Sequence, residues 1–101
     1  MATAKKGTEL VRESEIEAYL VKRVREAGGI SYKFVSPGRA GVPDRIVILE
    51  NEVGFVEVKA PGKKPTALQQ RELERLQAHG MQAGWVSSRE DVEGFLAFLT
   101  L

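Results

Sequence analysis

The spacing of apolar residues predicts an α/β fold, a mixed sheet flanked by helices. Three observations carry this. A stretch with helical spacing precedes three strand-length apolar runs joined by short connections. A Pro/Gly break then leads into a second helix and a fourth strand. A last amphipathic stretch closes the chain. Short connections favour antiparallel neighbours, whereas a strand reached through a helix lies parallel to its neighbour. The expected order is α-β-β-β-α-β-α.

Residues 1–8 are small and basic and are expected to be frayed, leaving 9–101 as one domain. The first helix is expected from about Glu9 to Ala27, with Ile16, Leu20, Val24 and Ala27 on one stripe and Gly28-Gly29 as the stop. Ile30–Ser36 reads as a strand, and Pro37–Pro43 as a turn-rich loop. Asp44–Glu50 is the second strand, its Ile46-Val47-Ile48-Leu49 run apolar enough for burial on both faces. A turn at Asn51-Glu52 leads to a third strand, Val53–Ala60. Pro61–Pro65 breaks the chain before a helix from Ala67 to His79, with Gly80 as its stop. Gln82–Val86 is the fourth strand. Ser87 or Ser88 caps a final helix whose Val92, Phe95, Leu96 and Leu99 form one apolar face.

The 101 residues suffice for one core, and 43% hydrophobic with 29% charged residues is ordinary for a globular chain. A formal net charge of +1 does not by itself announce a nucleic-acid binder. With no cysteine and one histidine, His79, disulfides, thiolate zinc sites and histidine-rich metal sites are excluded. No apolar run approaches a membrane span and no signal peptide is visible, so the expected location is the cytoplasm of its host.

The chemistry concentrates in Pro43-Asp44 and Glu57-Val58-Lys59. Residues i and i+2 of a strand share a face, so Glu57 and Lys59 point the same way, roughly 6.6 Å apart along the strand. A turn centred on Asn51-Glu52 sets Glu57 opposite Ile46, with Asp44 two residues further along the same face. A one-residue slip would separate the acids. Two converging carboxylates beside an ammonium can hold a hard divalent cation and place water against a phosphodiester. Read blandly, Asp44 is a turn residue and Glu57–Lys59 a surface pair worth little. Glu17 heads an inward stripe of the first helix, with Glu13 one turn earlier, yet Ser14–Glu17 also reads as a capping box. Gln69 has the same two readings, since Thr66–Gln69 is a capping box too. Lys33, Arg39, Arg45, Lys63 and Lys64 bracket the acids and suit phosphate contacts. Trp85 reads as core or interface, and His79 as a helix C-terminal cation.

On these motifs, with Glu13–Glu17, Lys33–Arg39, Gly41–Arg45, Val56–Pro65 and Leu68-Gln69, residues 13–98 resemble the virus-type replication-repair nuclease (VRR-NUC) domain of the PD-(D/E)xK superfamily. The resemblance implies a restriction-endonuclease-like αβββαβ core. It also implies a Mg²⁺- or Mn²⁺-dependent endonuclease with Asp44, Glu57 and the Val58 backbone carbonyl as metal ligands. Lys59 would orient or activate water. Glu17, or Glu13 in its place, would be the helix-borne acid, and Gln69 matches the family's glutamine. The stand-alone type further implies a homodimer acting on four-way or other branched DNA, with no nucleotide cofactor. The competing readings are an inactive nuclease fold used for DNA binding or dimerisation, a flap or linear DNA nuclease, and a restriction-type enzyme. The last is disfavoured because the chain has no spare segment for reading bases.

Overall fold

The computed structural model describes residues 11–101. Its elements are α1 (Glu13–Glu26), β1 (Ile30–Lys33), β2 (Arg45–Leu49), β3 (Glu52–Val58), α2 (Ala67–Ala78), β4 (Gln82–Val86) and α3 (Arg89–Leu99). The sheet order is β1-β2-β3-β4, antiparallel except for the parallel β3–β4 pair. This is the expected mixed sheet flanked by helices. The expectation for residues 1–8 lies outside the described residues, as do Glu9 and Leu10.

Val11 and Arg12 are not helical, so α1 starts later than the periodicity suggested. Arg12 is the N-cap, in extended backbone and with no side-chain cap hydrogen bond. Ser14 therefore lies inside the helix, and the capping box expected at Ser14–Glu17 does not form. Glu17 is left free for other partners. The Thr66–Gln69 box does form, with both reciprocal hydrogen bonds present. At α3 the cap is Ser88, whose Oγ accepts from the Asp91 N–H at 3.0 Å, while Asp91 Oδ2 accepts from the Ser87 N–H at 2.9 Å.

The β2–β3 turn also differs from expectation. Leu49 pairs with Glu52, so the two turn residues are Glu50 and Asn51, both with positive φ (52° and 70°). Two left-handed residues are the requirement of a type I′ turn, whose twist matches that of the flanking strands, and asparagine tolerates that conformation well. Moving the turn by one residue moves every cross-strand partner by two. The ladder now runs to Arg45↔Val56, and continuing it sets Glu57 opposite Asp44 rather than Ile46. Because the change is even, each residue keeps its face.

One sheet face carries the main core. Val47, Leu49, Val56, Val58 and Val86 pack against Ile16, Leu20 and Val24 of α1 and Val92, Phe95, Leu96 and Leu99 of α3. Each such side chain fully buried contributes about 1.5–3 kcal/mol. The other face is covered less completely. Ile46 and Ile48 are only half-buried, correcting the expectation of burial on both sides. Ile30, Tyr32 and Val53 of that face are exposed. β1 is regular only to Lys33, though the Phe34 N–H still donates to the Asp44 carbonyl at 2.9 Å. The two core-side helices are clamped by Glu93, which accepts from Tyr19 Oη at 2.5 Å and from Arg23 Nε at 2.7 Å. Arg23 in turn holds the Glu93 carboxyl below its ordinary range.

Gly54 permits the close approach of α3 to β3. A Cβ there would stand 2.9 Å from the Phe95 ring and 3.1 Å from Leu99 Cδ1. Gly54→Ala is therefore expected to destabilise the fold by about 1–3 kcal/mol, the usual cost of overpacking a filled core. Urea unfolding checks this, as a lower midpoint with an unchanged slope.

Candidate active site

The acids are set by the end of the β2–β3 ladder. Pro43 is buried and anchors the loop end against the domain. Beyond Arg45 the regular backbone pairing stops, and Asp44 uses its side chain instead, Oδ2 accepting from the Val58 N–H at 2.8 Å. Asp44 is thus held from both sides, by Val58 through its carboxylate and by Phe34 through its carbonyl. No described hydrogen bond engages its other carboxylate oxygen.

Glu57 is 2% exposed, and Lys59 Nζ lies 3.2 Å from its Oε2. Its pKa is pushed up to about 7, first by burial and then by the Asp44 charge, with Lys59 opposing and Glu13 adding to the rise. A buried carboxyl near half-ionisation at neutral pH, facing a second acid, suits displacement of its proton by a cation. The donor set is hard oxygen throughout, which fits Mg²⁺ or Mn²⁺. Among the described residues no three acidic or histidine side chains close around a common point. Two polar groups of the site are engaged elsewhere: Lys59 occupies one oxygen of Glu57, and the Val58 N–H one oxygen of Asp44.

Glu17 lies in a separate cluster. Its Oε2 accepts from Arg45 Nε at 2.8 Å and is 3.6 Å from Lys33 Nζ. Strand parity explains the separation. Arg45 follows Asp44 by one residue and so projects to the opposite face, the α1 side, together with its partner Lys33. Two residues expected at phosphates, Lys33 and Arg45, therefore spend charge on Glu17. The helix acid whose field reaches Glu57 is Glu13, at the first turn of α1.

Gln69 takes up the capping reading. Its Oε1 is taken by the Thr66 N–H at 2.9 Å, and only the amide NH₂ is left for another partner. Arg39 is pinned through Nε to Glu72 Oε1 at 2.6 Å, though half of the side chain remains exposed. Lys63 and Lys64 are exposed in the turn before α2. Glu72, 6% exposed, was not singled out from the sequence. The signal was there, since at helical spacing position 72 shares a side of α2 with Gln69 and Leu76.

A family model described as VRR-NUC domain matches residues 8–90. The chain belongs to the VRR-NUC domain family. A phage protein named "Putative nuclease p44", from Acyrthosiphon pisum secondary endosymbiont phage 1, is 57% identical over 82 residues, covering 80% of this chain and 88% of that protein. A solved structure described as a VRR_NUC domain superposes with a TM-score of 0.77 at 33% identity, covering 84% of this chain and 94% of the other. This VRR-NUC chain is thus a nuclease of α/β architecture. None of its described helices is long and apolar enough to cross a membrane.

The raised pKa of Glu57 makes stability depend on pH. Its folded value, about 7, lies above the ordinary 4.5, so the folded state holds the proton more tightly than the unfolded chain. The stability contribution of neutral Glu57 is complete below about pH 4.5 and is lost as pH rises through about 7. Without divalent metal, Glu57→Gln is expected to melt above wild type at pH 8, with the gap narrowing toward pH 4.5. Thermal melts across that range measure it.

Proposed function

We propose that this VRR-NUC chain is a Mg²⁺- or Mn²⁺-dependent PD-(D/E)xK endodeoxyribonuclease that hydrolyses phosphodiesters in branched DNA, four-way junctions included. The observation that carries the reading is the opposition of Asp44 and buried Glu57, with Lys59 on Glu57. Asp44, Glu57 and the Val58 carbonyl would hold the metal, with Glu13 as the helix-borne acid in preference to Glu17. The bound metal supplies Lewis acidity toward the scissile phosphate and lowers the pKa of its water. The protein groups do the rest. Asp44, tethered to the Val58 N–H, presents its other oxygen in a fixed orientation. Glu57 gives up its proton at neutral pH. Lys59, 15% exposed, is desolvated enough for its ammonium to favour charge developing on phosphate or water. The free amide of Gln69 is a further donor at the start of α2. Lys63, Lys64 and the outward part of Arg39 contact phosphates on either side.

Cleavage of labelled linear, flapped and four-way DNA with Mg²⁺, Mn²⁺ or EDTA tests this. Asp44→Asn, Glu57→Gln and Lys59→Ala are each expected to lose at least about a hundredfold in rate while still binding DNA. Glu13→Gln should lose activity more than Glu17→Gln, whose defect should be mainly in stability. Wild-type rates for both Asp44→Asn and Glu57→Gln would reject the site. Binding of junctions with no cleavage under any metal would leave a binding module instead.

Two symmetric cuts across a junction call for two sites related by a two-fold axis, hence a homodimer. Leu99 is buried and belongs to the monomer core, whereas Trp85, Phe98 and Leu101 are exposed and remain available to a partner copy. Light scattering at micromolar concentration, alone and with four-way DNA, should give twice the monomer mass. A monomer in both, cutting flaps better than junctions, would reject the junction reading and keep the nuclease.

A further inference from the structure

Some of the basic residues are paired to acids; among the described residues Arg12, Arg25 and Arg89, at the ends of α1 and α3, are not, and neither are four on one stretch of chain. Lys33 and Arg45 are paired to Glu17, Arg39 to Glu72, and Arg23 to Glu93 and Glu26. Lys63, Lys64, Arg71 and Arg75 have no carboxylate within salt-bridge distance among the described residues, and all four follow Lys59 on the 61–65 turn and α2. At 100° per residue, positions 68, 71, 72 and 75 lie on one side of α2. The Pro37–Pro43 loop packs on that side. A Cβ on Gly41, where φ is +87°, would meet Leu68 at 2.9 Å, and Glu72 holds Arg39 at 2.6 Å.

We propose that this side of α2, carrying Arg71 and Arg75 with Arg39 from the adjoining loop, is a second contact surface for the DNA sugar-phosphate backbone. It continues the path of the nucleic acid away from the acid pair, and it rests on the nuclease reading above. The two arginines are one helical turn apart, about 6 Å along the axis. A duplex strand carries a phosphate about every 3.4 Å of its axis, so they reach separate, nearby phosphates. The surface charge there is only partly cancelled. Glu72, the acid on that side, is buried and committed to Arg39. Glu74, exposed and about 60° round α2 from Arg71, accepts from Gln70 Nε2 at 3.0 Å and offsets one positive charge, which leaves the bases of α2 and the 61–65 turn in excess. Because Arg39 is bound to Glu72 through Nε, its remaining N–H groups stay at the half-exposed surface as donors. Charge complementarity thus selects a polyanion as the occupant. The start of α2 adjoins Lys63, Lys64 and Gln69, so the surface is continuous with the residues placed at the scissile end.

The test measures binding of fluorescein-labelled duplex and four-way DNA in EDTA, from 50 to 200 mM NaCl. The variants are Arg71→Ala/Arg75→Ala and, as a control, Arg25→Ala, which removes an arginine equally lacking a carboxylate partner but on α1. The double variant should weaken binding about tenfold or more at 50 mM salt and lower the slope of log K against log salt by about 2, since each lost phosphate contact removes about 0.9. Arg25→Ala should change neither. With Mg²⁺, the double variant should keep its rate at saturating DNA and raise KM. A full wild-type slope in the double variant, or an equal loss per charge in Arg25→Ala, overturns the α2 surface while wild-type cleavage keeps the nuclease reading. A wild type that neither binds nor cleaves DNA overturns both.

Discussion

Two carboxylates facing each other at the end of a sheet repel, and burying one of them adds a desolvation penalty; the surroundings of Asp44 and Glu57 exist to hold that arrangement. The opposition is set at a distance by the Glu50-Asn51 turn, whose left-handed residues fix the β2–β3 register. A register one residue off would send one acid to the α1 side and leave the other unpaired. Both costs are visible in Glu57, which burial first and the Asp44 charge second push up to about 7. Lys59 offsets part of it, and the Val58 N–H fixes Asp44 so that relaxation cannot separate the pair.

Holding such a site requires a stiff scaffold, and the remaining polar pairs supply it. Glu93 receives Tyr19 and Arg23 and so locks α1 to α3 behind the sheet. Glu72 receives Arg39 and so locks the loop leading into Pro43-Asp44 onto α2. Removing Arg39 would leave Glu72 buried and unpaired, which is costlier than losing an exposed ion pair. Arg39 therefore has a structural part as well as a surface, and these two parts use different atoms of one guanidinium.

Much of this was legible from residue order, because period-2 and period-3.6 patterns report which side of an element is wet. The elements, the sheet composition and the shared face of Asp44, Glu57 and Lys59 all follow from such patterns. The turn position did not. Asn51 suits a left-handed site, but Glu50 as its partner is unfavourable locally, and facial alternation does not tell the two turns apart, since both keep every residue on the same face. The use of Glu17 was open for a related reason. Ser14–Glu17 satisfies the capping rule, yet capping is worth only about 0.5–2 kcal/mol, and Glu17 instead pairs with Arg45. Local rules identify candidates for a side chain's partner; tertiary packing chooses among them.

The net charge of +1 conceals how the charges are arranged. On the α1 side of the sheet, acids and bases pair in the Glu17 and Glu93 clusters. On the other side two acids are buried, Glu57 beside Asp44 and Glu72 beneath Arg39, while the bases of the 61–65 turn and α2 stay in solvent with only Glu74 of that helix exposed among them. Burying the acids and exposing the bases makes one face of a nearly neutral chain attractive to a polyanion. In the proposed nuclease reading, that excess of exposed base would draw phosphate toward the face on which Asp44 and Glu57 lie, which bulk composition could not reveal.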